Sequence, residues 1–356
     1  MQTSAPDRHR EQRSLATVGK RDTNEIGQYL EGQKRIYIDL YSQPSLLQSV
    51  LQQTQTVIRK KRGNIGPTQF FHIDEILGPM RLVKTENDLL FIRKAIEITN
   101  KSHRAAMAFA EPGKKEYEVQ ALIEFLFRKQ GANGEAYGSI VAGGANANIL
   151  HYVSNNDTLR DCDLLLIDAG CEYGYYASDV TRTFPINGKF SSEQKIIYEL
   201  VLQSQLKCIE ISKPGVTLEQ IHQTAVKVLV SGLIDLKFLS GSVDEVIANE
   251  SYKKFYPHRT GHWLGLDVHD LGPYRTSDGN DFVKTIPGMI YTIEPGLYIP
   301  ADAQEAPPAF RGIGIRTEDD ILITDTGFEN LTKAIPKTIS EIENACTEDY
   351  RKFLIE

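Results

Sequence analysis

A chain of 356 residues has room for one large domain or two of ordinary size, and 41% hydrophobic against 24% charged residues excludes wholesale disorder and collagen-like repetition. Forty basic against 47 acidic residues leave a net charge of −7, which argues against a nucleic-acid binder held by phosphate contacts. The longest apolar runs, Leu164 to Ile167 among them, fall far short of the ~20 residues that span a bilayer, so no membrane segment is expected.

Residues 1–24 are polar and aperiodic, lack the apolar core of a secretory signal, and read as a poorly ordered tail. Four cysteines without CxxC spacing fit a reducing, cytoplasmic setting. Within 25–83 only one stretch has helical spacing, with Leu46, Val50 and Val57 on one face, closed by the basic run Arg59-Lys60-Lys61-Arg62, which complements a helix dipole. That segment is too short to bury a large core. From Lys84 the pattern becomes dense. Thr85 caps a helix through Asn100 and beyond, with Leu89, Ile92, Ile96 and Met107 on an apolar face. Glu111-Pro112-Gly113 breaks it, and a second helix ends at Gly131, where glycine suits the C-cap.

The chain then repeats itself. Pro112-Gly113 precedes an amphipathic stretch (Val119, Leu122, Leu126, Phe127) ending at Gly131, and Pro214-Gly215 precedes another (Leu218, Ile221, Ala225, Val228) expected to end at Gly232. Leu165-Leu-Ile-Asp168-Ala-Gly170 is echoed by Ile290-Tyr-Thr-Ile-Glu294-Pro-Gly296, so each copy delivers a carboxylate at the end of an apolar strand, just before a glycine. A duplicated helix-helix-strand unit would place the two carboxylates in equivalent positions about a pseudo-twofold axis.

A carboxylate closing an apolar strand is costly unless it is paired or metal-bound. Asp179 follows Asp168 by 11 residues, with Gly170 and Gly174 permitting a hairpin between them. Three of the eight histidines, His258, His262 and His269, fall within 12 residues, in a glycine-punctuated stretch that reads as extended or turning backbone. His258 and His262 have the four-residue spacing of a zinc helix but no intervening glutamate, so that motif is absent. Glu318, like Glu294, interrupts a run that otherwise reads as buried strand. Asp168, Asp179, Glu294, Glu318 and His262 together make an oxygen-rich donor set that favours Mn²⁺, Mg²⁺ or Fe²⁺ over a thiolate-held zinc. Four carboxylates offset two divalent cations, and a pair of such ions activates water for hydrolysis. The residues alone lead as far as a dinuclear metal hydrolase.

These residues carry a resemblance. The stretches Ile149-Leu-His-Tyr, Leu166-Ile-Asp-Ala-Gly-Cys-Glu-Tyr, Asp179-Val-Thr-Arg-Thr-Phe-Pro, Gly261-His-Trp-Leu-Gly-Leu-Asp-Val-His-Asp-Leu-Gly, Thr292-Ile-Glu-Pro-Gly-Leu-Tyr and Gly312-Ile-Gly-Ile-Arg-Thr-Glu-Asp-Asp resemble the dinuclear "pita-bread" metallopeptidases, and among them the bacterial aminopeptidase P branch. The resemblance runs from about Arg81 to the C-terminus and more weakly from about Glu25. It implies an α/β pita-bread fold of pseudo-twofold duplicated units over 84–356, the catalytic domain, preceded at 25–83 by a remnant of a creatinase-like domain about half the expected size. Such a remnant would leave apolar surface around 30–80 exposed.

The resemblance also implies the following roles. Asp168, Asp179, His262, Glu294 and Glu318 would ligate two divalent metals, Mn²⁺ in this branch, with Asp179 and Glu318 bridging. Glu294 would double as general base. His151 and His269 would contact the substrate near the scissile bond, His269 stabilising the oxyanion. His258 would line the proline pocket, with Arg316 and Tyr298 supporting substrate and ligands. The substrate would be a peptide with proline at its second position. A homo-oligomer, tetramer or dimer, goes with the family, and a shortened first domain would weaken it. A prolidase-like dipeptidase differs in requiring a free carboxylate on the proline. An inactive pita-bread protein serving as a binding module would be expected to have lost ligands, and all five stand here.

Overall fold

The computed structural model describes residues 26–60, 63 and 65–355; the tail expected over 1–24 lies outside the described residues, as do Lys61 and Arg62 of the basic run. The chain divides into two compact units, Met1–Met80 and Arg81–Glu356. Among the described residues no helix is long and apolar enough to cross a membrane.

The first unit holds α1 (Ile26–Leu30), β1 (Arg35–Ile38), α2 (Pro44–Lys60), β2 (Gln69–His72) and the start of α3 (Asp74–Leu82). Strands β1 and β2 pair in parallel from Arg35↔Gln69 to Ile38↔His72, with α2 as the crossover. Val50, Thr54 and Val57, three to four residues apart, form the buried face of α2. Val50 and Val57 make a small core with Leu30. The sequence showed only the helix, because strands of four residues carry too little period to register. Apolar side chains do stand exposed here, among them Tyr41 (79%), Met80 (70%) and Ile65 (62%).

The second unit opens with α4 (Glu86–Phe109). Thr85 caps it and forms a reciprocal capping box with Asp88. After the Pro112-Gly113 turn comes α5 (Glu116–Lys129), which ends in a Schellman motif: Ala132 N–H donates to the Phe127 carbonyl (3.0 Å), with Gly131 left-handed at φ 91°. Then follow β3 (Gly134–Glu135), β4 (Ile140–Gly143), β5 (Leu164–Asp168), β6 (Cys171–Tyr173), β7 (Tyr176–Ala177) and β8 (Thr181–Pro185). The second copy comprises α6 (Ser192–Glu210), α7 (Leu218–Asp235), α8 (Val243–Ala248), β9 (Ile290–Ile293), β10 (Gly296–Tyr298), β11 (Gly314–Arg316), β12 (Asp319–Ile323) and β13 (Phe328–Asn330), with α9 (Ile339–Ala345) and α10 (Arg351–Ile355) closing the chain. Sheets β4-β5-β8 and β13-β12-β9 are antiparallel and three-stranded.

Equivalent hydrogen bonds bear out the duplication. Gly113 N–H donates to Leu159 O (2.9 Å) and Leu159 N–H returns to Lys114 O (2.8 Å); Gly215 N–H donates to Thr285 O and Thr285 N–H returns to Val216 O, both at 2.8 Å. One expectation needs correcting. Gly232 does not end the second helix, since α7 continues to Asp235. A Cβ at Gly232 would come within 2.4 Å of Leu200, so this glycine lets α7 lie close against α6. The counterpart of Gly131 is Lys237, left-handed at φ 63°, where Phe238 N–H donates to Leu233 O (2.8 Å) in the same motif.

The two C-caps thus hold one backbone conformation with different residues. Gly131→Ala should cost about 1 kcal/mol and Lys237→Gly should gain ~0.5–1 kcal/mol, read as opposite shifts of the denaturant midpoint at constant slope.

Candidate metal centre

The site is assembled from strand ends. Asp168 closes β5, and Asp179 enters β8 two residues before Thr181, the partner of Asp168 in the ladder. Glu294 follows β9, and Glu318 precedes β12, whose Asp319 pairs with Ile293. Each half uses a glycine to bring its backbones together. A Cβ at Gly170 would fall 1.8 Å from the Ser178 carbonyl oxygen, and one at Gly261 would fall 1.9 Å from that of Thr292. The second approach seats His262 against β9, where its N–H donates to Thr292 Oγ1 (3.1 Å) and its carbonyl accepts from Thr292 N–H (2.9 Å).

Ligand atoms of Asp179, His262 and Glu318 lie within 4.8 Å of one another. Glu294 adjoins through His262 Nε2 at 3.6 Å, and Asp179 lies 3.3 Å from that same nitrogen. Asp168 adjoins through Tyr137, whose hydroxyl stands 2.6 Å from the Asp168 carboxylate and 2.5 Å from that of Asp179. Burial, with Asp179, Glu294 and Asp168 adding to it, pushes the Glu318 carboxyl well above its usual range. Burial likewise raises Asp179, and raises Glu294 to about 7. Burial disfavours a charged His262 ring, but Asp179 and Glu294 prevail and lift it to about 9. The pocket therefore carries more negative charge than its own cations balance, the condition that a divalent ion relieves.

The donors fit such an ion. His262 Nδ1 faces the Trp263 carbonyl at 3.1 Å, and a carbonyl only accepts, so Nδ1 keeps the hydrogen and Nε2 is turned to the carboxylates as a ligand. The rest of the set is carboxylate oxygen, suited to a hard or borderline divalent cation.

A second layer fixes these groups. Arg316 donates to Asp168 (2.6 Å), to Tyr298 Oη (2.9 Å) and to Thr181 Oγ1 (3.1 Å), and Thr181 donates to Glu318 (2.7 Å). His258 Nδ1 faces the Arg259 carbonyl (2.7 Å), so its Nε2 accepts from the Tyr298 hydroxyl (2.8 Å). Burial and the Arg316 charge hold His258 at about 3, a neutral ring at physiological pH. Arg182, fully buried, donates to the Glu318 carbonyl (2.5 Å) and to Asp319 (2.7 Å).

Nine of the ten residues singled out from sequence line one cavity of about 820 Å³: His151, Asp168, Asp179, His258, His262, His269, Glu294, Arg316 and Glu318. Tyr298 stands behind the wall, 3% exposed, and reaches the cavity only through His258 and Arg316. The His269 ring meets that of His262 edge-on at 4.2 Å. Sequence reasoning missed Tyr137, Thr181 and Arg182. Tyr137 is one of sixteen tyrosines and carries no local signal; Arg182 had one, a cation inside an otherwise uncharged strand.

A sequence model described as "Metallopeptidase family M24" matches residues 91–325. A Xaa-Pro aminopeptidase of Haemophilus influenzae is 47% identical over 270 residues, which cover 76% of this chain and 62% of that protein. The chain thus spans about three-fifths of that curated relative. Among solved structures, the Pseudomonas aeruginosa aminopeptidase PepP superposes with a TM-score of 0.86 at 44% identity, covering 94% of this chain and 74% of that one. Zn-substituted E. coli aminopeptidase P in complex with product gives 0.85 at 40%, covering 91% and 73%. The fold of the second unit is the pita-bread fold of these structures.

The charge imbalance has a pH signature. Glu294, raised from 4.5 to about 7, destabilises the metal-free fold above its folded-state pKa and stops doing so as pH falls. His262, raised from 6.5 to about 9, stabilises below its unfolded-state pKa, a contribution lost as pH rises through 9. Both act in one direction between pH 8.5 and 6.5. Metal-free protein should gain on the order of 2 kcal/mol over that interval, and a saturating divalent ion should flatten the dependence, followed by melting temperature in chelator and in Mn²⁺. Below 6.5 the buried neutral rings of His103, His222 and His258 oppose the trend.

Proposed function

Because the chain belongs to metallopeptidase family M24, we propose that it removes the N-terminal residue from peptides whose second residue is proline. The observation that carries this reading is the junction of four strand-end carboxylates and His262 at one wall of a cavity also lined by His151, His258 and His269. The similarity to relatives named Xaa-Pro aminopeptidase supports the choice of substrate.

In this reading Asp168, Asp179, His262, Glu294 and Glu318 would hold two divalent cations, Mn²⁺ by preference. When bound, the ions supply positive charge that polarises the scissile carbonyl and acidifies the attacking water. Glu294 takes the proton of that water and delivers it to the proline nitrogen, which leaves as a secondary amine. His269 donates to the developing oxyanion. His151 contacts the peptide beside the scissile bond. His258, held neutral and oriented by Tyr298 and Arg259, forms a wall for the proline ring. Arg316 keeps Asp168 in place and is itself braced by Tyr298.

Residues 84–356 carry catalysis, and 25–83 belong to a domain of creatinase type. Self-association into a dimer or tetramer and a cytoplasmic setting complete the reading. The exposed Tyr41, Ile65 and Met80 support the first, and four cysteines without CxxC spacing support the second.

An Xaa-Pro-Xaa tripeptide should be cleaved at the Xaa-Pro bond in the presence of Mn²⁺ and not in chelator. Glu294→Ala should lower kcat by roughly 10²–10⁴-fold, and His262→Ala should abolish turnover and weaken Mn²⁺ binding in calorimetry. Cleavage confined to Xaa-Pro dipeptides would show a dipeptidase instead, and undiminished activity in either variant would refute the ligand assignment.

A further inference from the structure

Glu116, the first residue of α5, has no exposed surface, and no ion pair to it forms among the described residues. A buried carboxylate in that position is tolerated only when its lone pairs are filled. Here they are. One oxygen accepts from Gly143 N–H (2.8 Å) and Asn146 Nδ2 (3.0 Å), the other from the Tyr152 hydroxyl (2.8 Å) and Asp157 N–H (2.9 Å). All four donors belong to the segment between the end of β4 and Asp157. Burial and Glu116 push the Tyr152 phenol up to about 12, so it remains a donor across the physiological range.

That segment carries His151, immediately before Tyr152. Around it Ile149 and Val153 are 54% and 64% exposed, Tyr152 is buried against Ile140, Ala142, Ala147 and Leu166, and Leu150, His151 and Val153 line the cavity. Further fastenings are Asn155, which accepts from Val141 N–H (2.9 Å) and donates to the Ser139 carbonyl (2.7 Å), and Asn148, whose amide donates to the Gly312 carbonyl (3.2 Å). Next to His151 in the chain, Tyr152 is tied to Glu116 by its hydroxyl, and the other three bonds to Glu116 hold the same segment on either side.

We propose that Glu116 is a positioning residue for substrate recognition: acting through Tyr152, it sets where His151 stands in the cleft. The inference rests on the reading that His151 contacts the peptide. In Glu116→Gln the shape is kept, but an amide NH₂ replaces one acceptor and confronts two donors. The segment then loses this anchor beside His151 while the strand-end carboxylates keep theirs.

The test is a double-mutant cycle of Glu116→Gln and His151→Ala on an Xaa-Pro-Xaa tripeptide, with Mn²⁺ affinity measured by calorimetry for each protein. Glu116→Gln alone should raise KM roughly tenfold, leave kcat within about threefold and leave Mn²⁺ affinity within about twofold. In the His151→Ala background the same change should cost nothing further, because the residue it positions is gone. A Glu116→Gln penalty of equal size with and without His151 overturns the inference alone. His151→Ala indistinguishable from wild type overturns the role of His151 and the inference with it, and wild-type protein inert toward the tripeptide overturns the proposed function. If Glu116→Gln does not fold, Tyr152→Phe takes its place in the cycle. It deletes one of the four bonds and should raise KM about threefold, again only while His151 is present.

Discussion

Four carboxylates drawn together inside a folded chain repel one another, and water is too scarce there to screen them. Most features of the second unit can be understood as the means of holding them in that arrangement. Burial raises Glu318, Asp179 and Glu294; the Asp168 charge raises all three further, Asp179 adds to Glu294 and Glu318, and Glu294 adds to Glu318. The protein's own cations offset only part of this: Arg316 is committed to Asp168, and His262 shares its proton with Asp179. Removing the arginine or the imidazole would leave the cluster more strained than truncating one of the acids. A binding site with unbalanced charge is pre-organised for a cation in a way that a neutralised one is not. The cost appears as a fold that is less stable without the ion.

Geometry spreads that cost over two halves. Each copy of the repeat ends an apolar strand in a carboxylate, and each uses one glycine to admit a neighbouring backbone at a distance no other residue allows. Neither half alone makes the compact group of Asp179, His262 and Glu318, because Asp179 comes from the first copy and the other two from the second. The duplicated turns at Gly113 and Gly215 matter for the same reason: equivalent bonds tie each turn to the segment that leads into β5 or β9, so the two halves are fixed in the same way.

Much of this was legible in the sequence where the signal was local. Thr85 announced a helix start, the Pro-Gly pairs announced the repeat, and a carboxylate ending an apolar run announced Asp168 and Glu294. The signal failed where the partner is remote in sequence. Glu116 reads as an ordinary first-turn acid, yet its bonds reach 27 to 41 residues along the chain. Tyr137 is 31 and 42 residues from the acids it touches. Gly232 misled for the opposite reason: a glycine near the expected end of a helix suggested a cap, whereas its missing side chain serves the packing of α7 on α6. The strands before Lys84 escaped because four residues are too few for period to show.

The site also divides its labour by type of element. The residues assigned to hold metal sit at strand ends, or, for His262, on backbone bonded directly to a strand, where main-chain bonds limit movement to fractions of an ångström. The residues assigned to the peptide, His151, His258 and His269, sit on irregular segments. Segments without strand pairing must still be held by side chains. His258 is held by hydrogen bonds to Tyr298 and to the Arg259 carbonyl, and the His151 segment by Glu116. Substitutions that alter peptide preference while sparing metal binding should therefore collect at these anchors, whose bonds end on loops, rather than at Thr181 or Arg182, whose bonds end on Glu318.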